Sequence, residues 1–255
     1  MWTQGDYPAV ASLLEPYAQQ LADLSGVEAR TRVLDVAAGT GNFALAAALR
    51  GAYVTASDMT SHMIELGRAR TEEARLPIEW VEGDAEALPF PDSGFDLVAS
   101  VFGAMFAAQP GLVARELFRV CRPGGTVAMA NYSREGFLGG MAALFERYSS
   151  RQLAVEIPSP FDWGDEEVVR RRLAADASAV DVRPGTITWT FDSVEATFEF
   201  WERTNAPTIA LRMTIEPERY AAFQDDARKL MRDLNSASDG GVELRSSYLN
   251  VLATK

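Results

Sequence analysis

Between residues 32 and 131 the chain alternates short apolar runs with helical stretches, and this rhythm restricts its possible folds more than any other feature. The apolar runs are RVLDV (32–36), YVTAS (53–57), IEWVEG (78–83), FDLVASV (95–101) and TVAMAN (126–131). Residues 42–50, 61–74 and 109–121 between them have helical character, with a shorter helical piece near 85–88. Strand, helix, strand repetition covers both faces of a sheet, so the pattern predicts an α/β fold with a doubly wound, mostly parallel sheet. Ahead of it, Val10, Leu14, Tyr17, Leu21 and Leu24 recur at helical spacing around Pro16, which predicts a kinked or divided helix.

From about residue 132 the rhythm breaks. A Pro-containing loop, EIPSPFDWGDEE, leads to a short charged helix ending near Ala174. GTITWTF (185–191) and SSYLNVLAT (246–254) read as two further strands, expected at the far edge of the same sheet and bringing it to seven. Between them Val194, Phe198 and Trp201 share one helical face, as do Tyr220, Phe223, Ala227, Leu230 and Leu234. With 255 residues, 47% of them hydrophobic, the chain can fill one core, and a single domain over 1–255 is expected. Its parts would be an N-terminal helical lid (1–29), a ligand-binding core (30–131), and helices covering the cleft with the final strands (132–255).

Charge and rare residues narrow the function. The net charge is −12, from 36 acidic and 24 basic residues, with no basic run able to track a phosphate backbone, so a nucleic-acid partner is not expected. No stretch approaches 18 apolar residues and the N-terminus lacks a leader pattern, which predicts a cytoplasmic protein with no membrane partner. A lone cysteine, Cys121, forms neither an internal disulfide nor a zinc cluster, and no metal is expected. One histidine, His62, and two lysines, Lys229 and Lys255, leave few candidates for a general base.

The segment VLDVAAGTGNFAL (33–45) carries the chemistry. In a doubly wound sheet, ligands bind beyond the strand ends where strand order reverses. Gly39 and Gly41 allow close backbone approach there, and the following helix presents N–H groups and a positive end. Taken alone, Gly39-Thr40-Gly41 with Ala44 also fits the dinucleotide pattern G-x-G-x-x-A. Two further acids distinguish the readings. Asp58, after the second strand, suits a ribose diol, and Asp84, after the third, suits an adenine amino group, which a dinucleotide site does not need. Asp35, under the glycine loop, suits an ammonium-bearing ligand better than a pyrophosphate.

The ordered set VLDVAAGTGNFAL, VTASDMTSHMIELGRAR, WVEGDAEALPFPDSGFDLVAS and LFRVCRPGGTVAMAN resembles the class I S-adenosylmethionine-dependent methyltransferases. The resemblance is to their type 11 small-molecule branch, related to the ubiquinone and menaquinone biosynthesis enzymes. It covers residues 30–131 closely, and FDWGDEEVVRRRL and SYLNVLAT are similar to later parts of that branch. It implies a Rossmann-like methyltransferase fold, S-adenosyl-L-methionine as cofactor with S-adenosyl-L-homocysteine as product, and methyl transfer to an O, N or C atom. By the resemblance, Ala37, Gly39 and Gly41 line the methionyl part, Asp58 binds the ribose and Met59 lies against the adenine. Asp84 and Ala85 would hold the adenine edge, and Ser100 and Val101 would lie beside the sulfonium. The family usually has glycine where this chain has Ala37, a change expected to be tolerable with ordinary backbone torsions.

The acceptor is expected to meet Tyr7 and Trp2 from the N-terminal segment, and Phe102, Met105 and Phe106 after the fourth strand. Asn131 and Tyr132 follow the fifth strand, and Phe137, Trp163 and Trp201 come from the later helices. Such surroundings suit a small apolar or aromatic metabolite, with Arg134 or Arg212 available to a carboxylate on it. SVFGAM lacks the Asn/Asp-Pro-Pro-aromatic tetrad of nucleic-acid amine methyltransferases. His62 reads as a solvated or capping residue rather than a base, and Cys121 as a core thiol, so no catalytic residue is assigned. Two other functions fit the loop alone. One is an NAD(P)-dependent oxidoreductase, disfavoured because Asp84 would have no task and a Tyr-x-x-x-Lys pair is missing. The other is a non-catalytic S-adenosylmethionine-binding module. Oligomeric state is left open.

Overall fold

A computed structural model describes residues 5–149, 158–238 and 240–255, which leaves Trp2 outside. Helix α1 (Tyr7–Leu24) precedes β1 (Arg32–Val36), α2 (Asn42–Leu49), β2 (Tyr53–Asp58), α3 (Ser61–Glu73), β3 (Ile78–Glu82), β4 (Phe95–Val101), α4 (Pro110–Val120) and β5 (Cys121–Gly136). Then come α5 (Phe137–Tyr148), α6 (Glu166–Leu173), β6 (Ala179–Phe191), α7 (Val194–Thr204), α8 (Ala206–Thr214), α9 (Pro217–Leu234) and β7 (Val242–Thr254). The sheet has seven strands in the order β3-β2-β1-β4-β5-β7-β6. β1 pairs in parallel with β2 and β4, β2 with β3, and β4 with β5, so the order reverses between β1 and β4. The expected doubly wound α/β sheet with both late strands at one edge is what the chain forms. No helix among the described residues is long and apolar enough to cross a membrane.

The chain divides into two compact units. One comprises Leu14–Asn131, Ile157–Pro184 and Leu249–Lys255. Its core is the continuous apolar runs of the parallel strands, with Val33, Leu34, Val98, Ala99, Val127 and Met129 at 3% exposure or less. The alanine-rich α2 buries Phe43 to Ala47, because small side chains let it lie close on the sheet. The other unit comprises Met1–Leu13, Tyr132–Glu156 and Gly185–Tyr248, and its core is aromatic. Trp201 meets Phe137 and Trp189 edge-on with ring centroids 5.4 Å apart, and Phe223 stacks on Phe145.

One local expectation is narrowed and three are corrected. Of the kinked and divided forms, the divided one is removed, since Pro16 lies inside one helix, α1; buried Ala11, Leu14, Ala18 and Leu21 hold the helix across the missing hydrogen bond. No helix forms near 85–88, where Asp84 and Ala87 make an isolated bridge. β5 begins at Cys121 rather than at Thr126, so Cys121 is on a strand and not at the end of a helix, and the register skips from Phe95–Cys121 to Leu97–Thr126, making the RPGG segment a bulge within the strand. In α9 the buried face runs through Tyr220, Phe223, Ala227 and Met231, and Leu234 is exposed.

Candidate functional site

The loop from β1 to α2 must reverse direction within five residues, and three of them take left-handed backbone: Ala37 (φ 52°), Gly39 (φ 55°) and Gly41 (φ 83°). Ala37 therefore lacks the ordinary torsions on which tolerance of an alanine was to depend; the turn imposes a left-handed one whatever the side chain. Gly103, after β4, makes room for the resulting methyl group. A Cβ at Gly103 would lie 2.8 Å from the Ala37 Cβ and 2.3 Å from its carbonyl oxygen. The loop is tied to the end of β2 by Ala38 N–H donating to the Ser57 carbonyl (3.0 Å) and Gly39 N–H donating to Asp58 Oδ2 (2.9 Å). Asp35 is sealed beneath it at 2% exposure, with Oδ2 accepting from the Ala44 N–H (2.9 Å) in the first turn of α2. Burial pushes the Asp35 carboxyl up to about 8, against the lowering effect of that hydrogen bond.

Asp58 joins these pieces. It ends β2, and its second oxygen accepts from the Thr60 N–H at 2.9 Å. Burial raises its pKa, and the N–H groups of Gly39 and Thr60 oppose that rise. The Asp58 carbonyl accepts from the Gly83 N–H (3.0 Å), which draws the end of β3 to the end of β2. Gly83 is needed there because a Cβ would sit 2.6 Å from Ser57 Oγ. Asp84 follows, exposed, with Oδ1 accepting from the Glu86 N–H (2.9 Å). That side-chain turn competes with a helix and accounts for its absence at 85–88. Ala85 is half-buried and Met59 is 64% exposed.

The segment carrying Asp84 and Ala85 is held by α4, through residues that sequence reasoning missed. Arg119 donates to the carbonyls of Leu88 (2.9 Å) and Phe90 (2.8 Å) and to Asp92 (2.8 Å). Glu116 accepts from the Leu88 N–H (2.8 Å) and pairs with Arg119 (2.7 Å), while Glu86 accepts from the Gln109 N–H (2.8 Å). In the sequence this is only an i,i+3 charged pair on a helix, which ordinarily reads as a solvated face. Trp80 was also missed. Its ring fills the notch at Gly67, where a Cβ would come within 2.1 Å, and borders Gly41, where a Cβ would come within 3.0 Å.

Beyond β4, the Ser100 hydroxyl accepts from the Ala104 N–H (3.0 Å), and Phe102 takes a left-handed turn (φ 54°) with its N–H on the Ala130 carbonyl (2.8 Å). Val101 is half-buried, Met105 is buried and Phe106 is 37% exposed. Asn131 is buried and its Nδ2 has no partner. Trp163 is also buried, in the short turn Pro160–Gly164, which packs against the turn Ala104–Phe106. Tyr7, Tyr132 and Trp201 belong to the other unit: Tyr7 opens α1, Tyr132 is buried in β5 and Trp201 lies in the aromatic core. In the same unit Arg134 faces Glu146 (3.8 Å) and Arg212 is exposed on α8. His62 is exposed in the first turn of α3. The buried Cys121 thiol is pushed up to about 11 by desolvation, which leaves it unreactive.

Residues 34–129 match the family described as Methyltransferase domain. An uncharacterized protein of Mycobacterium tuberculosis is 35% identical over 255 residues, 98% of this chain and 87% of its own length. The chain belongs to the class I S-adenosylmethionine-dependent methyltransferases. A demethylmenaquinone methyltransferase of Renibacterium salmoninarum is 37% identical to this methyltransferase over 133 residues, 52% of this chain and 54% of that protein. Among solved structures, the YcgJ protein of Bacillus subtilis matches with a TM-score of 0.64 at 18% identity, over 94% of this chain and 98% of its own. Haemonchus contortus phosphoethanolamine N-methyltransferase 2, solved with S-adenosyl-L-methionine, matches with a TM-score of 0.58 at 17% identity, over 94% of this chain and 52% of its own. The cofactor of the family fits the residues of this methyltransferase on the chemistry of Asp58. A carboxylate has about four acceptor positions. The N–H groups of Gly39 and Thr60 take two of them, and the Thr60 hydroxyl and the Met59 N–H also donate toward the carboxylate with smaller effect, so a ribose diol would take the place of those weaker donors.

Proposed function

We propose that this methyltransferase transfers the methyl group of S-adenosyl-L-methionine to an O, N or C atom of a small apolar or aromatic metabolite, by in-line displacement. The observation that carries the proposal is the convergence on Asp58 of the glycine loop, through Gly39, and of the Asp84 segment, through Gly83. Asp58 would hold the ribose, Met59 would lie against the adenine, and Asp84 and Ala85 would take its edge. Ala37, Gly39 and Gly41 would line the methionyl part, with Asp35 holding the loop from below through the Ala44 N–H. Ser100 and Val101 would border the sulfur, and Phe102, Met105, Phe106, Asn131 and Trp163 the acceptor.

When bound, the cofactor supplies a methyl group already activated by a sulfonium. The work left to the chain is to orient the acceptor and exclude water, and in well-ordered systems orientation supplies roughly 7–11 kcal/mol of the barrier. No base is assigned: an amine acceptor needs only a sink for its proton, and His62 is exposed on α3. The net charge of −12 weighs against a nucleic-acid acceptor, and the similarity to a demethylmenaquinone methyltransferase is what suggests a cytoplasmic, biosynthetic setting. The test is calorimetry with S-adenosyl-L-homocysteine and with NADH, followed by transfer from labelled S-adenosyl-L-methionine to a panel of phenols, amines and enols. Binding of the homocysteine product alone, with label in at least one acceptor, is the expected result. Binding of NADH alone would overturn the proposal.

A further inference from the structure

Among the described residues of the unit that holds the glycine loop, the buried polar atoms without a hydrogen-bond partner include two donors that adjoin, on Trp163 and Arg172. Trp163 is 1% exposed and its Nε1–H has no partner among the described residues; Arg172, on α6, has a buried Nη1 in the same condition. They form one cluster, because the Arg172 guanidinium lies over the Trp163 ring, 4.2 Å from its centroid. Neither group can become an acceptor by rotating, since an indole N–H and a guanidinium only donate. Stacking on the ring answers the positive charge in part but offers no lone pair to either N–H. The charge of Asp162 favours the guanidinium, while burial, the larger effect, lowers the pKa of Arg172. A buried cationic donor left in this state is costly and calls for an anionic oxygen.

The position of the cluster ties it to the acceptor side. Trp163 sits in the turn Pro160–Gly164, which packs against Ala104–Phe106. That second turn directly follows Gly103, the residue against which Ala37 of the glycine loop rests. α6 is fixed so that Arg172 is presented there. Asp165 caps its first turn by accepting from the Val168 N–H (3.0 Å), and Val169 and Leu173 are fully buried on either side of Arg172.

We infer that Arg172 and Trp163 form a subsite for a carboxylate carried by the methyl acceptor, so that the substrate is an apolar or aromatic acid rather than a neutral metabolite. The inference rests on the methyltransferase function proposed above. Two donors on stacked groups can serve the two oxygens of one carboxylate, and the apolar Phe102, Met105 and Phe106 suit the remainder of such a molecule. Both donor atoms are sealed from solvent, so the acid reaches them by displacing the turn Ala104–Phe106, whose outward residue is Phe106 at 37% exposure.

The experiment follows the indole N–H resonance of Trp163, assigned with Trp163→Phe, in the full chain saturated with S-adenosyl-L-homocysteine and titrated with benzoate, acetate or benzamide. Benzoate should shift that resonance saturably and benzamide should not. Arg172→Gln should weaken benzoate at least about tenfold, on the scale of a hydrogen bond to a charged group, with affinity for S-adenosyl-L-homocysteine unchanged. If Arg172→Gln proves unfolded, Arg172→Lys keeps the charge and loses the planar fork, and a partial weakening is expected. An indole resonance that ignores both carboxylates, equal binding of benzoate and benzamide, or exchange of that N–H with an internal water alone overturns the inference. Failure of S-adenosyl-L-homocysteine to bind the unmodified chain would instead remove the function it rests on.

Discussion

Ala37→Gly should stabilise this protein, although it deletes a side chain from the cofactor loop. A left-handed residue with a Cβ costs roughly 1–2 kcal/mol relative to glycine, and Ala37 has φ 52°. Against that gain, glycine frees the unfolded chain by roughly 0.4–1 kcal/mol. The balance is a net gain of about 0.5–1 kcal/mol, or a rise in melting temperature of about 1–4 °C for a chain of this size. The reciprocal change, Gly103→Ala, should cost about 1–3 kcal/mol as overpacking, since its Cβ would lie 2.3 Å from the Ala37 carbonyl oxygen and 2.8 Å from the Ala37 Cβ. The double variant removes the second clash and leaves the first, so it should stay nearer to Gly103→Ala than to the unmodified chain. Urea and thermal midpoints by circular dichroism on all four forms measure this cycle. A drop in midpoint for Ala37→Gly, or full recovery in the double variant, would refute the reasoning.

Other substitutions probe the neighbouring contacts. Gly67→Ala forces a methyl group to within 2.1 Å of the Trp80 ring and should lower the urea midpoint by the equivalent of about 1–3 kcal/mol; an unchanged midpoint contradicts that packing. Asp58→Ala should weaken S-adenosyl-L-homocysteine binding in calorimetry by about 1–3 kcal/mol, and equal affinity would remove Asp58 from the ribose. Asp35 titrates near about 8 in the folded chain against 3.8 ordinarily, so the folded state retains a proton that the unfolded chain has released. Stability from this group therefore falls as pH rises from about 4 to about 8 and is level beyond, and Asp35→Asn should abolish that slope in urea titrations; parallel curves for the two proteins would argue against a buried, proton-retaining Asp35. His62→Ala should leave turnover on any acceptor found within a few-fold, and a loss of about a hundredfold would make His62 the base.

The parallel half of the fold was legible because apolar runs and helical spacing are local signals, and β1 to β4 begin where the sequence indicates. The glycine loop and Asp58 were legible for the same reason, since strand ends and glycines mark them. The torsion of Ala37 was not, because alanine carries no mark of a left-handed site and the cause is a turn closed by distant β2. Nor was the helix expected near 85–88 excluded by any composition rule; a single oxygen of Asp84 on the Glu86 N–H decides against it. Arg119, Glu116 and Arg172 were illegible as site residues because their partners lie far away in sequence or, for Arg172 Nη1, are missing among the described residues.

The grip of Arg119 and Glu116 on residues 88–92 makes the stretch that follows Asp84 an appendage of α4 rather than of the sheet. A shift of that helix, from any cause, would be handed on to Asp84 and Ala85 with little damping, since charge-assisted bonds to main-chain atoms leave few ways to absorb it. On the proposed placement of the adenine there, cofactor affinity should act as a gauge of where α4 stands.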